Sequence, residues 1–112
     1  MTPATLVQHQ LDAYNAHDLP AFLACYHDQA ELFRMPEREP SMVGKAAIAE
    51  RYGTQVFTVP DHHAELLGRL SSGNKVIDHE RVHGLRPEPS EVFAIYEVQQ
   101  GLITKVWFHT VK

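Results

Sequence analysis

The sequence predicts one α+β domain spanning residues 1–112, in which helices come first and an antiparallel sheet follows. Helix-like spacing of apolar residues dominates the first half of the chain. Four strand-like runs, separated by turn sequences, occupy the second half. Because no helical pattern lies between these runs, we expect antiparallel neighbours and not parallel βαβ units.

The first two elements are predicted to be helices joined by a polar corner. Thr2 or Thr5 caps the first helix, because a threonine side chain accepts a hydrogen bond from a backbone N–H of the first turn. Asp18 caps the second helix, and Pro20 suits its first turn. The inward faces are expected to carry Leu6, Val7, Leu11, Tyr14, Phe22, Leu23 and Tyr26.

A short strand and a third helix complete the first half. Residues 30–35 predict the strand, which ends in the proline-rich loop 36–40. Gly44 opens the third helix, and Pro60 stops it. The second half is predicted to be a meander with strands at residues 62–72, 75–84, 91–99 and 102–111.

Composition and charge exclude several classes of function. Ten Lys and Arg against 14 Asp and Glu give a net charge of −4, without the basic stripe that nucleic-acid binders need. No apolar run approaches the roughly 18 residues of a membrane span. The single Cys25 forms no internal disulfide, and the N-terminus lacks the features of a signal peptide, so we expect a cytoplasmic protein.

Four motifs, spread over nearly the whole chain, carry a family resemblance. They are AYNAHDL at residues 13–19, YHDQAEL at 26–32, GKAAI at 44–48 and GLITKVWF at 101–108. Together they resemble the nuclear transport factor 2-like superfamily, in particular its SnoaL-like and ketosteroid-isomerase-like branch. The resemblance implies a cone-shaped barrel, in which a curved antiparallel sheet packs around the N-terminal helices and leaves an internal pocket. It also implies a homodimer through the outer sheet face, where Trp107 is expected.

The catalytic residues of ketosteroid isomerases are not reproduced at the matching positions. That branch uses a helical tyrosine, an aspartate base on the first strand and a protonated aspartate in the later sheet. The matching positions here carry Gln10, Met35 and Tyr96, of which only Tyr96 can replace its counterpart's function. Met35 has no titratable proton, so another group has to serve as the base.

Asp78 and Glu80 are the candidate acid–base pair. Residues two apart on a strand share a face, which places these carboxylates about 6.5–7 Å apart, and the resemblance favours the pocket face. Such a pair shares a proton, binds a cation, or divides into acid and base as burial raises one pKa. The alternative is a solvated pair at the rim, bound to Arg69, Lys105 or Arg81.

The eight histidines are not expected to form a metal site. On a strand, His79 and His83 lie about 13 Å apart, which is too far for one ion. The adjacent His62 and His63 point to opposite faces. A glycine-rich phosphate loop is also missing, and no bound cofactor is expected.

These observations predict a pocket protein whose partner is a hydrophobic small molecule, with no role for nucleic acid or membrane. The first hypothesis is a cofactor-independent isomerase or lyase, steroid delta-isomerase-like, acting on a carbonyl compound. Asp78 or Glu80 is the acid or base, and Tyr96 donates a hydrogen bond. The second hypothesis is a non-catalytic ligand-binding or protein-interaction domain of the same fold, favoured by the missing base at Met35. The expected ligand-binding residues are Tyr14, Phe33, Val106 and Phe108.

Overall fold

A computed structural model describes residues 1–111, and Lys112 lies outside the described residues. Within them the chain forms three helices, α1 (Pro3–Asn15), α2 (Leu19–Ala24) and α3 (Lys45–Gln55). Six strands complete the fold: β1 (Tyr26–Arg34), β2 (Met42–Val43), β3 (His63–Ser72), β4 (Lys75–His83), β5 (Ser90–Gln99) and β6 (Leu102–Val111). The predicted α+β class is confirmed.

The first two helices begin at the predicted caps. The side chain of Thr2 accepts a hydrogen bond from the backbone N–H of Thr5 at 3.1 Å, which decides between the two threonines. Asp18 accepts one from the N–H of Ala21, also at 3.1 Å. Each bond satisfies a backbone donor that the helix itself leaves free. The third helix ends at Gln55, before the predicted stop.

The sheet has the order β2-β1-β6-β5-β4-β3. Strands β3 to β6 form the predicted antiparallel meander, with boundaries within one residue of those expected. Strand β1 adds to it by parallel pairing with β6, and it begins at Tyr26, earlier than predicted. Strand β2, which lies just beyond the predicted loop, pairs with β1 at the edge of the sheet.

The sheet does not close, so the expectation of a cone-shaped barrel is wrong in that respect. Among residues 1–111, β2 and β3 form the two free edges. The ladder is irregular between Leu66 and Gly68 and between Glu97 and Val98. Such irregularities bend and twist a strand, which lets an open sheet curve around the helices.

The two faces of the sheet have different surroundings. The helices cover one face, where Val7, Phe22, Leu32, Ile48 and Val106 are fully buried in the core. The opposite face carries a cross-strand apolar row defined by the register of the sheet, consisting of Leu70, Ile77, Ile95, Trp107 and Phe33. The longest helix within residues 1–111, α1, has 13 residues, and none of the described helices could span a membrane.

Gly84 allows the end of β4 to approach the segment before β3. Its φ is +94°, a backbone conformation that residues other than glycine rarely adopt. A Cβ added there lies 2.6 Å from the carbonyl of Asp61, closer than van der Waals contact permits. This glycine therefore lets the β4–β5 connection leave the sheet beside the cavity described below.

Candidate functional site

A cavity of about 670 Å³ lies between the helices and the sheet. Its volume falls in the range of small-molecule sites. The mouth includes side chains from the end of β1, from α3 and from the connection between β4 and β5. The polar and aromatic residues of the inner wall are Gln10, Tyr14, Tyr52, Glu80, Tyr96 and Phe108.

Glu80 is a buried carboxyl group in the wall of this cavity. Alternation along β4 turns Val76, Asp78 and Glu80 toward the helices, and Glu80 is only 7% exposed. No residue of the described chain forms an ion pair or hydrogen bond with its carboxyl group. Burial raises the pKa of Glu80 to about 7, the nearby charge of Asp78 adds to the increase, and Arg69 partly opposes it. Near neutral pH the group is therefore able both to accept and to return a proton.

Asp78 has a different environment although it shares a strand face with Glu80. Arg69, its register partner on β3, binds both carboxylate oxygens, from Nε at 2.6 Å and from Nη2 at 2.9 Å. The remaining Nη1 of Arg69 donates to the side-chain oxygen of Gln8 at 2.8 Å. Asp78 is fully buried and does not line the cavity. The expected acid–base pair is thus divided into a structural ion pair and one free carboxyl group.

Two tyrosines present free hydroxyl groups to the cavity. Tyr96 on β5 and Tyr52 on α3 both line it, and neither hydroxyl is hydrogen-bonded to another residue within 1–111. Burial raises the pKa of Tyr52 to about 12 and also raises that of Tyr96 well above its ordinary value, so both stay protonated and act as donors. The charge of Glu80, which lines the same cavity, contributes to both increases in pKa.

The hydroxyl of Tyr14 is engaged by a buried histidine. His62 Nδ1 lies 3.2 Å from the carbonyl oxygen of His83, and a carbonyl only accepts, so Nδ1 carries the proton. Burial lowers the pKa of His62, which keeps the ring neutral and leaves Nε2 as an acceptor. The O–H of Tyr14 therefore donates to Nε2. Tyr14 borders the cavity, but its proton is committed to His62.

The comparisons with known proteins decide the family. The sequence profile of the SnoaL-like domain matches residues 7–106. The chain belongs to the SnoaL-like domain family. No curated protein matched this SnoaL-like domain in sequence.

Solved structures share the fold of this SnoaL-like domain. An uncharacterised cystatin-fold protein from Novosphingobium aromaticivorans is 23% identical, with a TM-score of 0.86 over 96% of this chain and 97% of that one. A candidate ketosteroid isomerase from Kribbella flavida is 16% identical, with a TM-score of 0.83 over 98% of this chain and 78% of that one. A candidate polyketide cyclase from Sinorhizobium meliloti is 20% identical, with a TM-score of 0.78 over 93% of each chain. At these identities the matches establish the fold alone.

The structure brings four of the seven predicted site residues to the cavity of this SnoaL-like domain. Glu80, Tyr96, Tyr14 and Phe108 line it. The other three do not line it. Asp78 binds Arg69, and Val106 is buried in the core. Phe33 lies on the opposite face of the sheet, where its ring stacks on that of Trp107 with 5.6 Å between the ring centroids.

Several cavity residues of the SnoaL-like domain were not predicted as site residues. Tyr52 lies on α3, and helical spacing alone does not distinguish a core contact from a cavity wall. Gln10 and Met35, the transferred catalytic positions, also line the cavity. The Oε1 atom of Gln10 is buried and has no hydrogen-bond partner within the described chain.

The histidines of the SnoaL-like domain do not converge on one point. His63 and His83 face each other across β3 and β4, with their rings stacked at 4.6 Å. Within residues 1–111, no group of three or more His, Cys, Asp and Glu side chains lies close enough to hold a metal ion.

Proposed function

We propose that this SnoaL-like domain is a cofactor-independent enzyme that moves a proton next to the carbonyl of a hydrophobic compound, as an isomerase, lyase or cyclase does. One observation carries the proposal. A buried carboxyl group with a pKa of about 7, Glu80, lies in the same cavity as the free hydroxyl groups of Tyr52 and Tyr96. A buried base, together with hydroxyl donors that have no hydrogen-bond partner within the described chain, is suited to this chemistry.

The proposed step begins with Glu80 as the carboxylate. It accepts the proton from the carbon next to the substrate carbonyl, and the C–H electron pair moves to form an enolate. The O–H groups of Tyr96 and Tyr52 donate to the enolate oxygen and stabilise its charge. In an isomerase, protonated Glu80 then returns the proton to another carbon of the same molecule. In a lyase, the enolate expels a leaving group from the β-carbon, and this group takes the proton. In a cyclase, the enolate carbon forms a bond to a second carbonyl carbon of the same molecule, and the resulting alkoxide oxygen takes the proton. Each path restores Glu80 and consumes no oxidant or reductant.

The comparisons support this class of reaction and not a particular substrate. Two structures of the same fold are named as a candidate ketosteroid isomerase and a candidate polyketide cyclase. The base proposed here lies on β4, whereas the position transferred from ketosteroid isomerases is Met35 at the end of β1. The domain therefore uses a different strand for its base.

Exchange of α-hydrogens for deuterium tests the proposal without knowledge of the substrate. A panel of apolar ketones, beginning with 2-tetralone, is incubated with the protein in D₂O and followed by NMR. We expect catalysed exchange that rises with pH through about 7. Glu80→Gln should reduce it by about 100-fold or more, and Tyr96→Phe by about 100-fold. Glu50→Gln, an exposed carboxyl on α3 outside the cavity, is the matched control.

The same experiment addresses the non-catalytic alternative. Ketones that bind, as judged by shifted protein resonances, but exchange no faster than in buffer would refute the enzymatic proposal. Exchange that persists unchanged in Glu80→Gln would refute the role of this residue. In the first case a ligand-binding domain of the same fold remains, which is the reading that the missing base at Met35 favours.

We further propose a homodimer formed through the outer face of the sheet. The cross-strand row described above leaves Leu70 70% exposed, with the side chains of Ile77, Ile95 and Trp107 partly exposed beside it. A contiguous apolar row on a sheet face is typical of an interface. A second copy of the same face supplies a matching surface by twofold symmetry.

A further inference from the structure

Three arginines surround the mouth of the cavity. Arg34 lies at the end of β1, Arg51 on α3, and Arg86 in the connection between β4 and β5. All three line the cavity although they come from three separate parts of the chain. Within residues 1–111, none of the three forms an ion pair with a carboxylate.

Two further arginines, which lie on strands of the sheet, do form ion pairs with carboxylates. Arg69 is bound by Asp78, and Arg81 pairs with Glu65 and Glu91. The chain has more acidic than basic residues, with a net charge of −4, so carboxylates are abundant. Of the four arginines that form no ion pair within residues 1–111, three therefore line this cavity, and only Arg38 lies outside it. Cations around one cavity repel one another, and an anion that binds among them relieves this repulsion.

Acidic groups lining the cavity do not neutralise this cluster. Among the described residues, Glu37 is the acidic side chain at the mouth, and Glu80 lies in the inner wall. Three cations thus face one carboxylate at the entrance. The charges of Arg51 and Arg34 also act on the hydroxyl of Tyr52 and partly oppose the increase in its pKa that burial causes. Because these arginines line the same cavity as Tyr52 and Glu80, the cationic mouth is continuous with the inner wall that carries the proposed chemistry.

We infer that Arg34, Arg51 and Arg86 bind a carboxylate of the ligand, so that the substrate is an apolar carbonyl compound carrying a carboxylate at the mouth. The inference rests on the proposed function for the position of the carbonyl group, beside Glu80 and Tyr96. A planar guanidinium donates two parallel hydrogen bonds to a carboxylate, which fixes the orientation of the ligand as well as its charge. The apolar middle of the ligand then contacts side chains such as Val56, Val92 and Phe108, which line the same cavity.

A matched pair of probes tests this inference by calorimetry. 2-Naphthylacetate and 2-naphthylacetamide have nearly the same shape and differ in charge. Near pH 6 the carboxyl of Glu80 is mostly protonated and does not repel the anion. We expect the carboxylate to bind at least about tenfold more tightly than the amide, because a charge-assisted hydrogen bond contributes more than a neutral one. Added salt should reduce the difference.

Arginine variants test whether these three residues cause the preference for the carboxylate probe. The triple variant Arg34→Gln, Arg51→Gln, Arg86→Gln should bind both probes with equal affinity. Lys105→Gln removes one positive charge outside the cavity and should keep the preference. Equal affinity in the wild type, or a preference that survives in the triple variant, would overturn the inference. An equal loss in Lys105→Gln would overturn it too, because the effect would then follow the net charge.

The outcome is separable from that of the proposed function. Glu80→Gln removes the proposed base and leaves the three arginines in place, so it should keep the preference for the carboxylate probe. A domain with the binding preference but no ketone exchange would contradict the enzymatic proposal alone. A domain that catalyses exchange and binds both probes equally would contradict the inference alone.

Discussion

Arg69 binds both carboxylate oxygens of Asp78 from the neighbouring strand, at 2.6 and 2.9 Å. This contact determines the character of the site. It pairs Arg69 with one of two carboxyl groups on the same face of β4, and this group does not line the cavity. Glu80, two residues further along, has no such partner in the described chain and faces the cavity with a raised pKa. A guanidinium on β3 therefore decides which carboxyl group is available for chemistry.

Breaking this ion pair should destabilise the protein. Arg69→Gln leaves the fully buried Asp78 without its cation, and we expect a loss of about 3–5 kcal/mol in the free energy of unfolding. Arg81→Gln is the matched control, because its two ion pairs lie at the surface and contribute at most about 1 kcal/mol. Urea denaturation at neutral pH measures both. Equal effects of the two substitutions would show that the Arg69 pair is not the structural element described here.

Replacing Glu80 should change how stability depends on pH. Its pKa is about 7 in the folded protein and 4.5 in the reference state, so the folded state holds the proton more tightly. The associated stability is fully present below about pH 4.5 and is lost as the pH rises through about 7. At pH 8 the buried charge costs on the order of 3 kcal/mol. Glu80→Gln removes this cost.

Thermal or urea denaturation of Glu80→Gln and the wild type tests that sign. The difference in stability between them should shift in favour of the variant as the pH rises from 5 to 8. Glu50→Gln, which alters an exposed carboxyl, should show no such trend. A difference independent of pH would mean that Glu80 titrates near its ordinary pKa.

The charge of Asp78 should be detectable in the titration of Glu80. Asp78→Asn removes a negative charge that raises the pKa of Glu80 and retains Arg69, so the pKa of Glu80 should fall. Carbon-detected NMR of the carboxyl groups measures the change. Glu65→Gln, which lies on β3 and points to solvent, should leave the pKa of Glu80 where it is. A rise in the pKa of Glu80 in Asp78→Asn would contradict this electrostatic description.

Tyr14 and Tyr96 should differ in their roles. Tyr14→Phe removes the donor to the buried Nε2 of His62, and an unsatisfied buried acceptor costs about 1–3 kcal/mol. Tyr96→Phe breaks no hydrogen bond within the described chain and should cost less. In the deuterium-exchange assay we expect the opposite order. Tyr96→Phe should lower the rate of catalysed exchange more than Tyr14→Phe does. A larger loss of exchange in Tyr14→Phe would mean that the His62 contact gives way to the substrate.

The proposed dimer is tested by a charge placed in the apolar row. Ile77→Lys should convert the protein from dimer to monomer in light scattering at micromolar concentration, because a lysine opposes burial against a second sheet. Val43→Lys is the control, since Val43 is 52% exposed at the other edge of the sheet and lies outside the row. A monomer in the wild type would refute the dimer.

The sequence by itself determined the elements whose causes are local. The cap at Asp18 and the meander from β3 to β6 follow from side chains and turns only a few residues apart, and the same local signals restricted the first cap to Thr2 or Thr5. Period-two alternation likewise put Asp78 and Glu80 on one face of β4, because no bulge interrupts that pairing with β5. Local patterns suffice where each residue's orientation depends on its immediate neighbours.

Only the tertiary structure decided the features that join distant segments. The parallel pairing of β1 with β6 depends on residues about 75 positions apart, and no local pattern indicates it. On β1, Leu32 and Phe33 are adjacent and therefore point to opposite faces, yet both are buried, because the ring of Trp107 covers Phe33 on the outer face. Apolar character alone does not show which of the two faces the helices. The functional difference between Asp78 and Glu80 also arises from contacts that join separate segments of the chain. It depends on Arg69 of the neighbouring strand and on burial in the cavity wall, and a pKa responds to that three-dimensional environment.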